Sequence, residues 1–279
     1  MNALARLAFL ATLLPATLAF PACSKSADAK SKLTLTGSST VAPLASELAK
    51  RFEQLHPEVR IDVQMGGSSR GVADARSGQA DIGMASRALK PEENDLQAHP
   101  IALDGIAIIV NAKNPITELS EAQIVAIYRG ETKNWSGVGG GDAPITVVNK
   151  AEGRSTLELF CDHFKVKVAD IKADVVIGDN QQGIKTVAGN ADAIGYVSIG
   201  TAEYEAAHGS AIKLLPLRGI AANLVAVRAG TFPLQRPLNL VTKSTPTGLA
   251  KEFIDFAKSA EATAIVEGQF FVPIAPAVR

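Results

Sequence analysis

The chain has 279 residues, 47% of them hydrophobic, and its 28 basic and 28 acidic side chains leave a formal net charge of zero. That length supplies core for one large or two medium domains. The charge balance excludes the basic face expected of a nucleic-acid binder or of a protein held on an anionic membrane surface.

The first predicted element is an export signal. After Met1 and a weak basic region carrying only Arg6, the apolar stretch 7–19 has the length of a signal-peptide core rather than a membrane span, and residues 1–22 are expected to be removed. The stretch ends in Phe20-Pro21-Ala22-Cys23, a small residue before a cysteine, as in a lipoprotein processing box from which Phe20 and Pro21 depart. The two outcomes are lipidation of Cys23 and ordinary cleavage nearby. Residues 23–32, rich in Ser, Lys, Ala and Asp, read as a polar linker. With Cys23 lipidated, Cys161 has no intramolecular disulfide partner and is expected to pack as a small apolar residue.

Further along, 33–36 predicts a short strand and Val41–Leu55 an amphipathic helix with Leu44, Leu48, Phe52 and Leu55 on one face and Pro43 in its first turn. Ile61, Val63 and Met65 alternate with polar residues as a half-buried strand, followed by a helix over 71–77 and a strand over Ile82–Ala85. The continuous apolar run 106–110 is of the kind buried in a parallel sheet. Ser120 with Gln123, and Ser155 with Glu158, form capping-box patterns opening helices over Glu121–Tyr128 and 156–164. Strands are predicted at 145–148, 174–177, 194–197, 213–217 and 238–241, with helices at 183–187 and 247–258. Strands alternating with helices give an α/β class with mostly parallel sheets.

Three clusters stand between a strand and a helix: Thr36-Gly37-Ser38-Ser39-Thr40, Gly66-Gly67-Ser68-Ser69-Arg70-Gly71 and Glu152-Gly153-Arg154-Ser155-Thr156. A helix start leaves N–H groups without intrahelical partners and carries partial positive charge. Small hydroxyl residues there cap the helix or donate to a ligand, and glycine lets backbone approach closely. Each cluster alone is an ordinary helix cap; the three together point to one oxyanion.

The segments 36–43, 66–78 with Ala80-Asp81-Ile82-Gly83, 103–111, 128–135 and 147–160 resemble the phosphate-binding proteins of ABC importers, within the type II periplasmic binding protein superfamily. So do Gly178-Asp179-Asn180-Gln181 and Ala193-Ile194-Gly195-Tyr196-Val197. The resemblance runs in order from about residue 32 to the C-terminus. It implies two Rossmann-like α/β lobes joined by two crossing strands, with the ligand in the cleft between them. The crossings fall near 103–110 and 232–240, giving lobe 1 at 33–106 plus 237–279 and lobe 2 at 107–236. The implied protein is an extracytoplasmic monomer, free or anchored through Cys23. It captures inorganic phosphate and hands it to a membrane permease, without cofactor, metal or catalysis.

The chemistry of the residues agrees. An oxyanion taken from water needs many donors and some positive charge. Ser39, Thr40 and the Val41 N–H, Ser68 and Ser69, and Ser155 and Thr156 supply neutral donors at helix starts. Arg70, Arg87, Lys150 and Arg154 are the candidate cations, against the default of solvated surface charge. By motif position Lys150 stands where the family usually has arginine, Glu152 where it has aspartate, and Arg154 where it has serine. Lysine is a point charge without a bidentate fork, which Arg154 is placed to restore. Arg87 stands where many phosphate-binding proteins carry an aspartate that accepts the proton of hydrogen phosphate. That acceptor rejects sulfate, so selectivity here must come from Glu152, Asp179 or a backbone carbonyl, or be absent. Sulfate or arsenate binding and a non-transport phosphate sensor or scavenger are the alternatives.

Trp135 and Tyr196 read as packing residues, and His56, His99, His163 and His208 lack metal-ligand spacing. A rival from another class is a secreted serine hydrolase. Gly67-Ser68-Ser69-Arg70-Gly71 matches G-x-S-x-G with Ser69 as nucleophile and His163 or His208 downstream, but no oxyanion motif of the HGGG type accompanies it.

Overall fold

A computed structural model describes residues 31–274. The signal segment 1–22, Cys23 and the linker up to residue 30 lie outside the described residues. Chain order begins with β1 (Ser31–Gly37), α1 (Val41–Leu55), β2 (Val59–Met65), α2 (Ser68–Ser77), β3 (Ile82–Ala85) and the long β4 (Gln97–Asn111). Next come α3 (Glu121–Tyr128), β5 (Thr146–Lys150), α4 (Ser155–Phe164), β6 (Val175–Ile177), α5 (Asn180–Gly189), β7 (Ala193–Ser198) and α6 (Ile199–Ala207). The chain closes with β8 (Ile212–Leu214), α7 (Leu224–Arg228), β9 (Gln235–Thr242), α8 (Gly248–Ala257), α9 (Ala260–Gly268) and β10 (Val272–Pro273).

Most predicted elements form where period and caps place them. α1 buries Leu44, Leu48 and Phe52 along one stripe, while Leu55 at its last turn is exposed. Ser120 Oγ accepts from Gln123 N–H and Gln123 Oε1 accepts from Ser120 N–H, at 3.2 and 2.9 Å, completing the capping box of α3. The pattern at Ser155 and Glu158 does not cap. α4 starts at Ser155 itself, and both side chains cross to the other lobe. The linker reading also shortens, because β1 takes up Ser31 and Lys32.

The strands lie in the order β2-β1-β3-β9-β4-β7-β5-β6, with β8 and β10 adding to β4. Two parallel blocks, β2-β1-β3 and β7-β5-β6, carry the helices of the two lobes. Antiparallel β9 and β4 join them. β4 pairs with β9 up to Gly105 and with β7 from Ile106, so one strand runs from one lobe into the other. The 106–110 run therefore sits antiparallel to β7 and β8, and not in a parallel block. Its continuous hydrophobicity records burial on both faces, which either strand direction can provide.

Each lobe has its own core. One gathers Leu35, Leu48, Phe52 and Ile82 with Phe253 and Phe271, so the chain after β9 returns to the first lobe. Phe52 meets Phe253 and Phe256 edge-on at centroid distances of 5.6 and 5.5 Å. The other core holds Tyr128, Phe160 and Tyr196 beside Trp135, with Tyr196 stacked on Phe160 at 4.2 Å. Cys161 is a half-buried free thiol against this core, and burial pushes it up to about 11. Among the described residues no helix is long and apolar enough to cross a membrane.

Candidate anion-binding site

Helices α1, α2, α4 and α5 start at Val41, Ser68, Ser155 and Asn180, and side chains from all four starts meet in the cleft. Ser38 Oγ takes the N–H groups of Thr40 and Val41 at 3.2 and 3.3 Å and donates to Ser86 Oγ at 3.0 Å. Ser86, just beyond β3, gives its N–H to Ser68 Oγ at 3.1 Å, and its hydroxyl lies 3.1 Å from Ser155 Oγ. The hydroxyls of Ser155 and Ser68 bond directly across the cleft. Asn180 Nδ2 donates to Thr40 Oγ1 at 3.1 Å, adding a further bond between lobes. Ser38, Thr40, Ser68, Ser86, Ser155 and Thr156 are all buried.

Glycine makes this approach possible. Gly67 has φ +97°, and a Cβ on it would lie 2.6 Å from the carbonyl oxygen of Gly153 in the other lobe. Any side chain there would hold the lobes apart.

The positive charge comes from two buried cations. Arg236, at the start of β9, has a fully buried side chain whose Nε and Nη2 donate to Asp104 Oδ2 at 3.1 and 2.9 Å. Its other edge reaches the hydroxyls: Nη1 to Thr156 Oγ1 at 3.0 Å and to Ser86 Oγ at 3.3 Å, and Nη2 to Thr40 Oγ1 at 3.3 Å. Asp104 Oδ1 also accepts from Gly200 N–H at 3.2 Å. Lys150, the last residue of β5, is buried and donates to Asn180 Oδ1 at 3.0 Å. Burial first, and then the charge of Arg236, push Lys150 down to about 7, against a smaller opposing pull from Asp179. Asp104 pairs with Arg236, whereas Lys150 has no ion-pair partner among the described residues and meets the Asn180 amide oxygen. Surplus buried charge is costly unless something pairs it, and a small anion among hydroxyls and helix starts would do so.

Comparison with known proteins shows the family. Residues 24–261 match the family described as a PBP superfamily domain. The phosphate-binding protein PstS of Bacillus subtilis (strain 168) is 31% identical over 255 residues, spanning 88% of this chain and 82% of that protein. The chain belongs to the PstS phosphate-binding proteins of the PBP superfamily. Among solved structures of this PstS-like kind, a phosphate ABC transporter substrate-binding protein from Clostridium perfringens, with bound phosphate, superposes with a TM-score of 0.81. It is 32% identical, covering 87% of this chain and 99% of that one. An ABC-type phosphate transport receptor from Vibrio cholerae gives 0.73 at 31% identity, covering 87% and 100%.

Within this PstS-type fold the structure brings together Thr40, Ser68, Lys150, Ser155 and Thr156 of the residues the sequence singles out, with the Val41 N–H turned to Ser38. Ser39 is half-buried beside Thr40. Glu152 is exposed. Arg70 is exposed and pairs with Asp74 one helical turn on, at 3.2 Å. Arg154 is half-buried, its side chain lying against Gly67 and Gly178 outside the hydroxyl network. The guanidinium that reaches the hydroxyls is that of Arg236 and not that of Arg154. Arg87 is buried, but its guanidinium is committed to two carboxylates: it donates to Glu93 at 2.7 and 2.8 Å, and its Nε lies 2.8 Å from Glu158 Oε2. Ser69 Oγ donates to Glu158 Oε1 at 2.9 Å, His163 sits 2.7 Å from Glu121, and His208 lies against the Tyr204 carbonyl, so no histidine meets Ser69.

Sequence reasoning missed Arg236, Asp104, Ser86 and Asn180 as site residues. Asn180 carried a readable signal, because Asp179 is an N-cap residue whose Oδ1 accepts from Gln182 N–H at 2.8 Å, which starts α5 three residues before Gly183. Arg236 signals itself only as the one charged residue of its strand. Its partner Asp104 lies 132 positions away.

Proposed function

We propose that this chain is a non-enzymatic binding protein that captures inorganic phosphate between its lobes and delivers it to the permease of an ABC importer. The observation that carries the reading is the buried hydroxyl network around the Arg236–Asp104 pair, with the buried Lys150 held by the Asn180 amide oxygen beside it. Arg236 offers planar donors to an oxyanion, Lys150 a point charge. Thr40, Ser68, Ser86, Ser155 and Thr156 offer hydroxyls that can turn to donate or accept. That amphoteric set is suited to hydrogen phosphate, whose protonated oxygen needs an acceptor. The lobes, 33–106 plus 237–279 and 107–236, close about the crossing strands as a hinge, and ligand favours the closed arrangement by touching both.

The same reading makes residues 1–22 an export signal, the mature protein an extracytoplasmic monomer, and Cys23 the candidate lipid anchor. Membrane fractionation of Cys23→Ser decides the anchor: release from membranes supports it, and an unchanged distribution removes it. Calorimetry of the purified protein with phosphate, sulfate and arsenate tests the ligand. Tight phosphate binding that sulfate fails to displace supports the reading, and preference for sulfate replaces it.

A further inference from the structure

At the rim of the cleft a second contact between lobes is built wholly from the protein's own charges. Glu158, on the first turns of α4 in lobe 2, faces three lobe 1 residues: Arg87 at 2.8 Å, Lys90 at 3.2 Å and Ser69 at 2.9 Å. Arg87 is itself fixed by Glu93, which also takes the Lys90 N–H at 2.8 Å. Arg87 in turn holds Glu93 below the usual carboxylate range despite its burial. The Arg87 Nε–H is not aligned on Glu158 Oε2, so that contact is an ion pair without a hydrogen bond. Beside it, Ser69 N–H donates to the Gly153 carbonyl at 3.3 Å, again across the cleft.

We infer that Glu158 is the latch of an interlobe clasp with Arg87, Lys90 and Ser69 that holds the closed state and slows ligand release, without touching the ligand. The inference rests on the hinge-closing reading above. None of these side chains joins the Arg236 hydroxyl network, and Arg87 and Glu93 are bound to each other within lobe 1 whatever the position of lobe 2. Of the side-chain contacts within the clasp, those of Glu158 are the ones lost on opening. Their free energy therefore enters the closed-to-open ratio directly, and through it the apparent affinity. At position 87, where the resemblance implies an aspartate facing the ligand, this chain has an arginine that pairs with Glu93 and Glu158.

Two measurements test this. In the first, small-angle scattering of the ligand-free protein compares wild type with Glu158→Gln. The clasp predicts a larger radius of gyration for the variant, and identical profiles overturn it. In the second, stopped-flow release and calorimetry with inorganic phosphate compare wild type, Glu158→Gln, the surface variant Lys90→Met and a control, Asp95→Asn. That control removes an exposed ion pair with Arg76 inside lobe 1. Glu158→Gln is expected to bind about tenfold more weakly, almost entirely through faster release, with Lys90→Met at roughly twofold and Asp95→Asn unchanged. An unchanged release rate in Glu158→Gln overturns the clasp while phosphate binding by wild type stands. Scattering needs no ligand, so it decides the clasp even if wild type ignored phosphate, which would overturn the functional reading alone.

Discussion

The hydroxyl network and the rim clasp both join the lobes, yet their charges are arranged in opposite ways. In the network, Arg236 is paired with Asp104, while Lys150 is buried with no ion-pair partner among the described residues and donates to the Asn180 amide oxygen. In the clasp, Arg87 and Lys90 face Glu93 and Glu158, and charge is balanced. A balanced cluster is complete as folded, whereas a buried surplus of one sign is a cost that only a ligand of the other sign removes. Charge surplus, more than the number of polar residues, separates a binding site from a structural contact here.

The largest effect that can break this contrast is at Arg236. Arg236→Met removes the fork and leaves Asp104 buried and unpaired, which costs about 3–5 kcal/mol of stability. Phosphate affinity should fall by at least ~100-fold in calorimetry, and denaturant unfolding should show the destabilisation in parallel.

Lys150→Met should weaken phosphate binding by roughly tenfold or more but raise the stability of the ligand-free protein at neutral pH, because it deletes a charge that burial disfavours. No member of the clasp should combine these two signs. The sign with pH follows from titration at about 7 in the folded chain against 10.5 ordinarily. Between those values the unfolded chain binds more protons, so the Lys150 contribution to stability rises with pH; below about 7 both states are protonated and the burial penalty is present in full. Urea unfolding at about pH 6 and about pH 9 should show this rise in wild type and lose it in Lys150→Met. An anion beside Lys150 raises its affinity for the proton, so phosphate binding at about pH 8 should take up a proton, read as a binding heat that depends on buffer ionisation.

Thr156→Val removes one hydroxyl facing Arg236 and should cost about tenfold in affinity with little loss of stability. Ser39→Ala and Glu152→Gln lie outside the network and should each change phosphate affinity by less than about twofold.

Legibility followed range. Helix starts and small hydroxyl residues are local signals, which is why Thr40, Ser68, Ser155 and Thr156 could be read from the clusters. The charged partners could not. Arg236 and Asp104 meet across the two crossing strands, and a lone charge in a strand carries no sign of where its partner lies. Glu158 was misread for the same reason: three residues after Ser155 it fits a capping box, but in the fold the cations of the other lobe outcompete a local backbone N–H. The 106–110 run revealed its burial and not its direction, since apolar side chains pack alike in either.

The most direct test is a crystal structure of the protein grown with phosphate. The account predicts a tetrahedral anion bound between the lobes, contacted by Arg236, Lys150 and the hydroxyls of Thr40, Ser68 and Thr156. Phosphate seated on Arg87 or Arg154, or a hydroxyl network that excludes the anion at saturating phosphate, would contradict it.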